Sequence, residues 1–127
     1  NHINKIIKPA LKTGKIVISD RFADSTFVYQ GFVNNYGMKK TISLHKKFLD
    51  NFLPHKTFLF LLSPQRINKR LQKRKISNKY DKTNSSFHAK VIKGYKKLSY
   101  NNKRFCIIKA DDSIDKIHHQ IIKELNI

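Results

Sequence analysis

The 127-residue chain has no tryptophan, one cysteine, one methionine, three prolines and four glycines. A lone Cys106 cannot close an internal disulfide, so the fold has to hold without one, and this fits a reducing, cytoplasmic setting. Cys106 stands in an apolar run, which favours a packed thiol over a nucleophile. No apolar run reaches the length of a membrane span, and no secretory leader is visible. The six histidines show no metal-ligand spacing, and no Cys/His zinc pattern exists. No serine has a G-x-S-x-G context, so a nucleophile elbow is not expected. Acids are scarce: eight against 27 bases, a net charge of +19. That balance favours anionic partners. Lysine outnumbers arginine 22 to 5, and at least half of the charge is credited to an AT-rich codon bias.

A phosphate-binding loop is also missing. G-x-x-x-x-G-K-[ST] would cradle a nucleotide's phosphates with backbone N–H groups. The one Gly-Lys pair, Gly14-Lys15, is followed by Ile, and Pro9 stands where the first glycine belongs. The chain opens on Asn1 within a helical pattern, so it reads as part of a longer protein.

What is present alternates between short apolar runs and helical patterns. Ile3, Ile6, Ile7, Ala10 and Leu11 recur at helical spacing, with Gly14 placed to end the helix. Ile16 to Ile18 reads as a buried strand. Ala23 to Gln30 reads as a short helix stopped by Gly31, and 32–37 as a turn. A helix over 40–52 carries Leu44, Phe48 and Phe52. Thr57 to Leu62 is the strongest strand, apolar on both faces and expected to be buried on both. Ser63-Pro64 reads as an N-cap and first-turn proline of a helix to about Lys75. A helix from about Ser85 carries Phe87, Val91, Tyr95 and Leu98. Phe105 to Ile108 is a third strand, and Asp112 or Ser113 caps a last helix with Ile114, Ile117, Ile121, Ile122 and Leu125. Such alternation predicts one α/β domain over 1–127 with a parallel sheet. Three strands are few, so central strands are expected to be missing.

The best functional signal is Asp20-Arg21, read as lying where the first strand ends. Ligands of open α/β sheets bind beyond the carboxyl ends of strands, and an arginine fork matches phosphate geometry. Ser25, Thr26 and Tyr29 could offer hydroxyls to a base or sugar. Gln30 could offer an amide or help the turn at Gly31. From Arg66 to Arg104 there are 14 bases and one acid, Asp81. Arg70, Arg74 and Lys79 in this stretch could stabilise a transferring phosphoryl group, though most of its lysines suit a solvated face. Asp111-Asp112 suits a helix cap better than a metal.

The stretch S-D-R-F-A-D-S-T-F-V-Y-Q-G, Ser19 to Gly31, resembles the D-R motif of bacterial thymidylate kinases. The likeness runs on through K-T-F-L-F-L-L-S-P, the basic K-R-L-Q-K-R-K-I-S-N-K-Y-D, F-H-A-K-V-I-K-G-Y and K-A-D-D-S-I-D-K-I-H. It implies a P-loop nucleoside monophosphate kinase fold of three layers, incomplete here. It implies transfer of the γ-phosphoryl of ATP to dTMP with Mg2+, and a homodimer at full length. By motif, Arg21 would hold the acceptor phosphate and Asp20 would orient it or its metal. Ser25, Thr26, Tyr29 and Gln30 would line the acceptor pocket. Arg70 and Arg74 belong to a lid over about 69–83, and the loop at Ala110 lies by adenine. None of these residues is expected to be a direct metal ligand. Lys79 stands where many members carry Arg, which removes a bidentate donor, and Phe22 replaces a common Tyr. The family's phosphate loop, with its lysine, and its thymine-stacking aromatic have no counterpart in these residues, so they are expected to be inactive alone. The rivals are another P-loop nucleotide or deoxynucleoside kinase, and a small basic nucleic-acid-binding protein that rests on charge alone. The membrane and a specific nucleic acid are not expected partners.

Overall fold

A computed structural model describes residues 2–73 and 81–127. Its sheet has two parallel strands, β1 (Thr57–Leu61) and β2 (Phe105–Lys109), paired from Thr57 with Phe105 to Leu61 with Lys109. Aromatic and β-branched residues fill both, the types that suit a pleated surface. The Thr57 N–H donates to the Arg104 carbonyl at 2.9 Å, and the Ala110 N–H donates to the Leu61 carbonyl at 2.8 Å, extending the ladder at both ends.

The expected first strand does not form. Ile16 to Ile18 has no regular structure and no strand partner among the described residues, and Ile16 and Ile18 are 83% and 93% exposed. A buried strand needs a ladder on at least one edge, and none reaches this segment. The two-sided burial expected of Thr57 to Leu62 is also not met. Leu59 and Ile108 are buried, whereas Phe60 and Ile107 are each 51% exposed. Burial on both sides needs a packed layer over each face, and that cover is incomplete at Phe60 and Ile107.

Helices surround this pair. A π-helical stretch, Ile3–Ile7, leads into α1 (Lys8–Lys12). Pro9 has no N–H to give the Lys5 carbonyl, and here it sits in the first turn of α1, where a missing donor costs least. Gly14, at φ +75°, ends the helix as expected. The next helix, α2 (Ala23–Thr26), continues as a π-helical stretch over Phe27–Val33. Gly31 therefore does not stop it. Its role is close approach: a Cβ there would lie 2.5 Å from the Thr41 hydroxyl oxygen and 2.9 Å from the Met38 Cα.

Helix α3 (Met38–Leu49) buries Thr41 and His45, not the expected Leu44 and Phe48. The His45 ring meets Phe27 edge-on at 5.4 Å, and its Nε2 lies 2.7 Å from the Phe52 carbonyl. The polar ring thus satisfies one hydrogen bond while filling the core. Helix α4 (Pro64–Lys73) starts at the Ser63 cap, whose hydroxyl accepts from the Arg66 N–H at 3.4 Å. Helix α5 (Asp81–Ser99) packs on the π-helical stretch after α2. A Cβ on Gly94 would come within 2.9 Å of Val28 and Phe32. Ser113, rather than Asp112, caps α6 (Ile114–Leu125). Ile114 is exposed, while Ile117, Ile121 and Ile122 are half-buried. The apolar core is Ile7, Phe27, Val28, Leu59, Val91 and Ile108.

Candidate functional site

Arg21 adopts φ +64°, a left-handed conformation that costs a non-glycine residue about 1–2 kcal/mol. Two local bonds hold it. The Ser19 hydroxyl donates to the Arg21 carbonyl at 3.1 Å, and the Ser25 N–H donates to the Phe22 carbonyl at 3.0 Å. The tight turn sends the Arg21 side chain back over the first turn of α2. Its Nε donates to the Ser25 hydroxyl oxygen at 3.1 Å, and its guanidinium carbon stands 4.8 Å from the centre of the Tyr29 ring. Stacking and one hydrogen bond therefore fix an otherwise flexible cation.

The shelf under Arg21 comes from a second element. The Tyr95 hydroxyl of α5 lies 3.0 Å from the Ser25 hydroxyl. The Tyr95 ring meets Tyr29 edge-on at 6.5 Å, and Phe87 lies 6.0 Å from Tyr29. Burial pushes the Tyr95 phenol above its ordinary value, opposed in part by the Ser25 hydrogen bond. It stays neutral at physiological pH and can donate or accept.

One turn on, Asp24 is buried and forms a two-pronged ion pair with Arg104, at 2.7 and 2.6 Å. Arg104 also donates to the Thr57 hydroxyl. This clamp ties α2 to Thr57 and to the residue before β2, at the amino ends of the strands. The strand whose carboxyl end Asp20-Arg21 is expected to follow does not form, so the pair stands in a turn just ahead of α2.

The remaining candidates divide. Arg21, Ser25 and Tyr29 come together. Asp20 and Thr26 are exposed, and neither side chain makes a hydrogen bond among those described. Gln30 is exposed, and its amide oxygen accepts from Asn34 at 2.9 Å, so it serves the turn. Arg70 is exposed on α4. Arg74, Lys79 and the rest of 74–80, about half of the lid expected over about 69–83, lie outside the described residues. Ala110 ends the β2 ladder at the carboxyl edge. Beside it, Asp111 accepts from the Ser63 hydroxyl at 3.3 Å, which accounts for that carboxylate. Sequence reasoning read Tyr95 and Phe87 only as packing residues, at i+8 and i on one helix. It missed the Asp24–Arg104 pair altogether, since 80 residues separate the two.

The site is open. Arg21 is exposed, and concavities of about 230 and 440 Å3 lie elsewhere, between Ile3–Lys8 and Phe48–Asp50 and along the start of α6. Among the described residues, no group of three or more His, Cys, Asp or Glu could hold a metal. Mg2+ normally takes one or two carboxylates with substrate phosphates and water, and Asp20 is the carboxylate beside Arg21. No helix among the described residues is long and apolar enough to cross a membrane.

Comparison with known proteins gives one consistent answer. A family model described as thymidylate kinase matches residues 1–121. The thymidylate kinase of Mycoplasma capricolum is 43% identical over 125 residues, which is 96% of this chain and 59% of that protein. The thymidylate kinase of Rickettsia rickettsii is 36% identical over 125 residues, 98% of this chain and 62% of that protein. The crystal structure of thymidylate kinase from Ehrlichia chaffeensis superposes with a TM-score of 0.71 at 28% identity, over 99% of this chain and 57% of that one. The chain thus spans about 60% of the length of the relatives it matches.

Proposed function

The chain belongs to the thymidylate kinase family and has the α/β fold of its P-loop nucleotide kinases, and from that premise we propose that its site serves phosphoryl transfer from ATP to dTMP. The observation that carries this reading is Arg21. Its Nε and its ring-facing side are engaged, while its two terminal amino groups have no partner among the described residues. That leaves a planar pair of donors for an anion, which suits the phosphate of an acceptor nucleotide. Asp20 orients that phosphate or its Mg2+. Ser25, Thr26 and Tyr29 line the acceptor pocket. Arg70 and Arg74 belong to a lid over about 69–83 and stabilise charge on the transferring group, and Ala110 borders adenine. The metal, when bound, neutralises phosphate charge; the chain's own part is to hold and orient the acceptor. The reaction belongs to the cytoplasm, and the homodimer common in the family is part of the same proposal.

Binding tests this without catalysis. By equilibrium dialysis, the chain should hold dTMP more tightly than thymidine, because only dTMP carries the anion. Arg21→Ala should abolish that preference, a loss of about tenfold or more for a hydrogen bond to a charged group. If Arg21→Ala holds dTMP as well as the parent chain does, Arg21 is not the phosphate donor and the reading fails.

A further inference from the structure

We propose that Tyr95 is a positioning residue for Arg21, acting through Ser25, so that α5 sets the direction in which the guanidinium presents its terminal donors. The inference rests on the nucleotide reading above only for what Arg21 receives. The positioning itself stands on the geometry.

An arginine has five N–H donors in a rigid plane, and fixing one edge of the plane fixes the rest. Here the Nε edge is fixed on the Ser25 hydroxyl oxygen at 3.1 Å. A serine hydroxyl alone is a poor anchor, since it turns freely among three rotamers. Ser25 is not alone: its oxygen lies 3.0 Å from the Tyr95 hydroxyl, 70 residues away in the chain. With the Arg21 Nε–H pointing at it, the Ser25 oxygen accepts one bond and exchanges a second with Tyr95, whichever of the two hydroxyls donates. Either arrangement selects one Ser25 rotamer. Tyr95 is itself held, half-buried and edge-on against Tyr29 at 6.5 Å and 79°. Tyr29 is the same ring that carries the Arg21 guanidinium on its face. Two routes from α5 therefore converge on one cation, a polar route through Ser25 and an apolar one through the Tyr29 ring. A phenol is protonated at neutral pH, and burial raises the Tyr95 value further, so the polar route is intact there.

Why this should matter follows from entropy. An exposed arginine samples many rotamers, and binding an anion freezes them. A side chain already frozen in the free protein loses less on binding. Removing the Tyr95 hydroxyl should therefore weaken the phosphate contact without touching the contacts to the base or sugar.

The test uses Tyr95→Phe, which keeps the ring packing, and Ser25→Ala as an independent break in the same chain. The first readout needs no nucleotide. In the parent chain the Arg21 Nε–H should give a distinct NMR signal, slowed in exchange with water. Both variants should shift it and speed its exchange, with unchanged melting temperature for Tyr95→Phe. The second readout is dialysis against dTMP and thymidine. Tyr95→Phe should weaken dTMP by about fivefold, the scale of one net hydrogen bond, and leave thymidine unchanged. The double variant should be no worse than Ser25→Ala alone, because both changes break one chain. If Tyr95→Phe leaves the Arg21 Nε–H signal and its exchange as in the parent, the proposal is overturned, whatever dTMP does. If the signal responds but dTMP and thymidine bind alike even in the parent chain, positioning stands and the nucleotide reading is what fails.

Discussion

Arg104 donates from both terminal nitrogens to Asp24, and with 13% and 7% of their side chains exposed the two are almost out of solvent. Such a pair is weak proof of net stabilisation, because desolvation opposes attraction. Breaking it is another matter. Arg104→Ala would leave the Asp24 carboxylate buried with only the Thr57 hydroxyl, 3.5 Å away, as a partner. The expected cost is about 3–5 kcal/mol, a large share of a single domain's stability. Asp24→Asn paired with Arg104→Met, which removes both charges, should cost less than either single change. Urea unfolding followed by circular dichroism measures all four chains. A double variant as unstable as the sum of its parts would mean that the two residues act separately. By contrast, Lys56 and Glu124 pair at 3.3 Å with 35% and 49% exposure, and a surface pair of that kind contributes about 0–1 kcal/mol. Distance alone does not rank these two bridges; burial does.

Between elements, two glycines set how closely helices approach. Gly31 faces α3, where an added Cβ would meet the Met38 backbone at 2.9 and 3.2 Å as well as the Thr41 hydroxyl oxygen at 2.5 Å. Backbone cannot swing aside. Gly94 on α5 faces only side chains, Val28 and Phe32 at 2.9 Å. An alanine in a helix gains about 0.5–1 kcal/mol over glycine, while forced overpacking costs about 1–3 kcal/mol. Gly31→Ala should therefore destabilise strongly, and Gly94→Ala less so, because there only the Val28 and Phe32 side chains have to shift. Adding Thr41→Ala to Gly31→Ala should recover only part, since Met38 remains. Thermal melts of the four chains decide it, and equal losses at Gly31 and Gly94 would contradict this account. These same contacts show what was legible in the sequence. The strand 105–108, most of strand 57–62, the Ser63 and Ser113 caps and the Gly14 stop are local signals, and each appears in the fold. Gly31 was misread as a stop because its reason lies ten residues away at Thr41. Ile16 to Ile18 was misread as a strand because an apolar run reports a preference for burial, not the partner that provides it. The Arg21–Ser25–Tyr29 grouping was readable from spacing, but Tyr95 was not, since only α5 packing brings its hydroxyl to Ser25.

At the scale of the molecule, some of the apolar residues left in water lie on the two strands and in the segment before the Arg21 turn. Ile16 and Ile18 are nearly bare, and Phe60 and Ile107 are half exposed on β1 and β2. Exposed apolar area of this kind marks a surface that another polypeptide covers, or that self-associates. The Mycoplasma capricolum relative has length beyond this match, since the chain spans 59% of it. These 127 residues hold no phosphate-binding loop, so alone they should make no dTDP from dTMP, ATP and Mg2+. A chimera joining this chain to a segment that carries a phosphate-binding loop should do both things at once. It should form dTDP in a coupled assay, and it should bind less of a dye specific for apolar surface than the 127-residue chain does. The two readouts separate two ideas. Dye binding that does not fall would mean that the exposed isoleucines and Phe60 are not where the added segment packs. A silent assay with lowered dye binding would mean that the exposed apolar surface is covered but the Arg21 turn is not brought to the phosphates. Turnover by the 127 residues alone would overturn the requirement for the loop altogether.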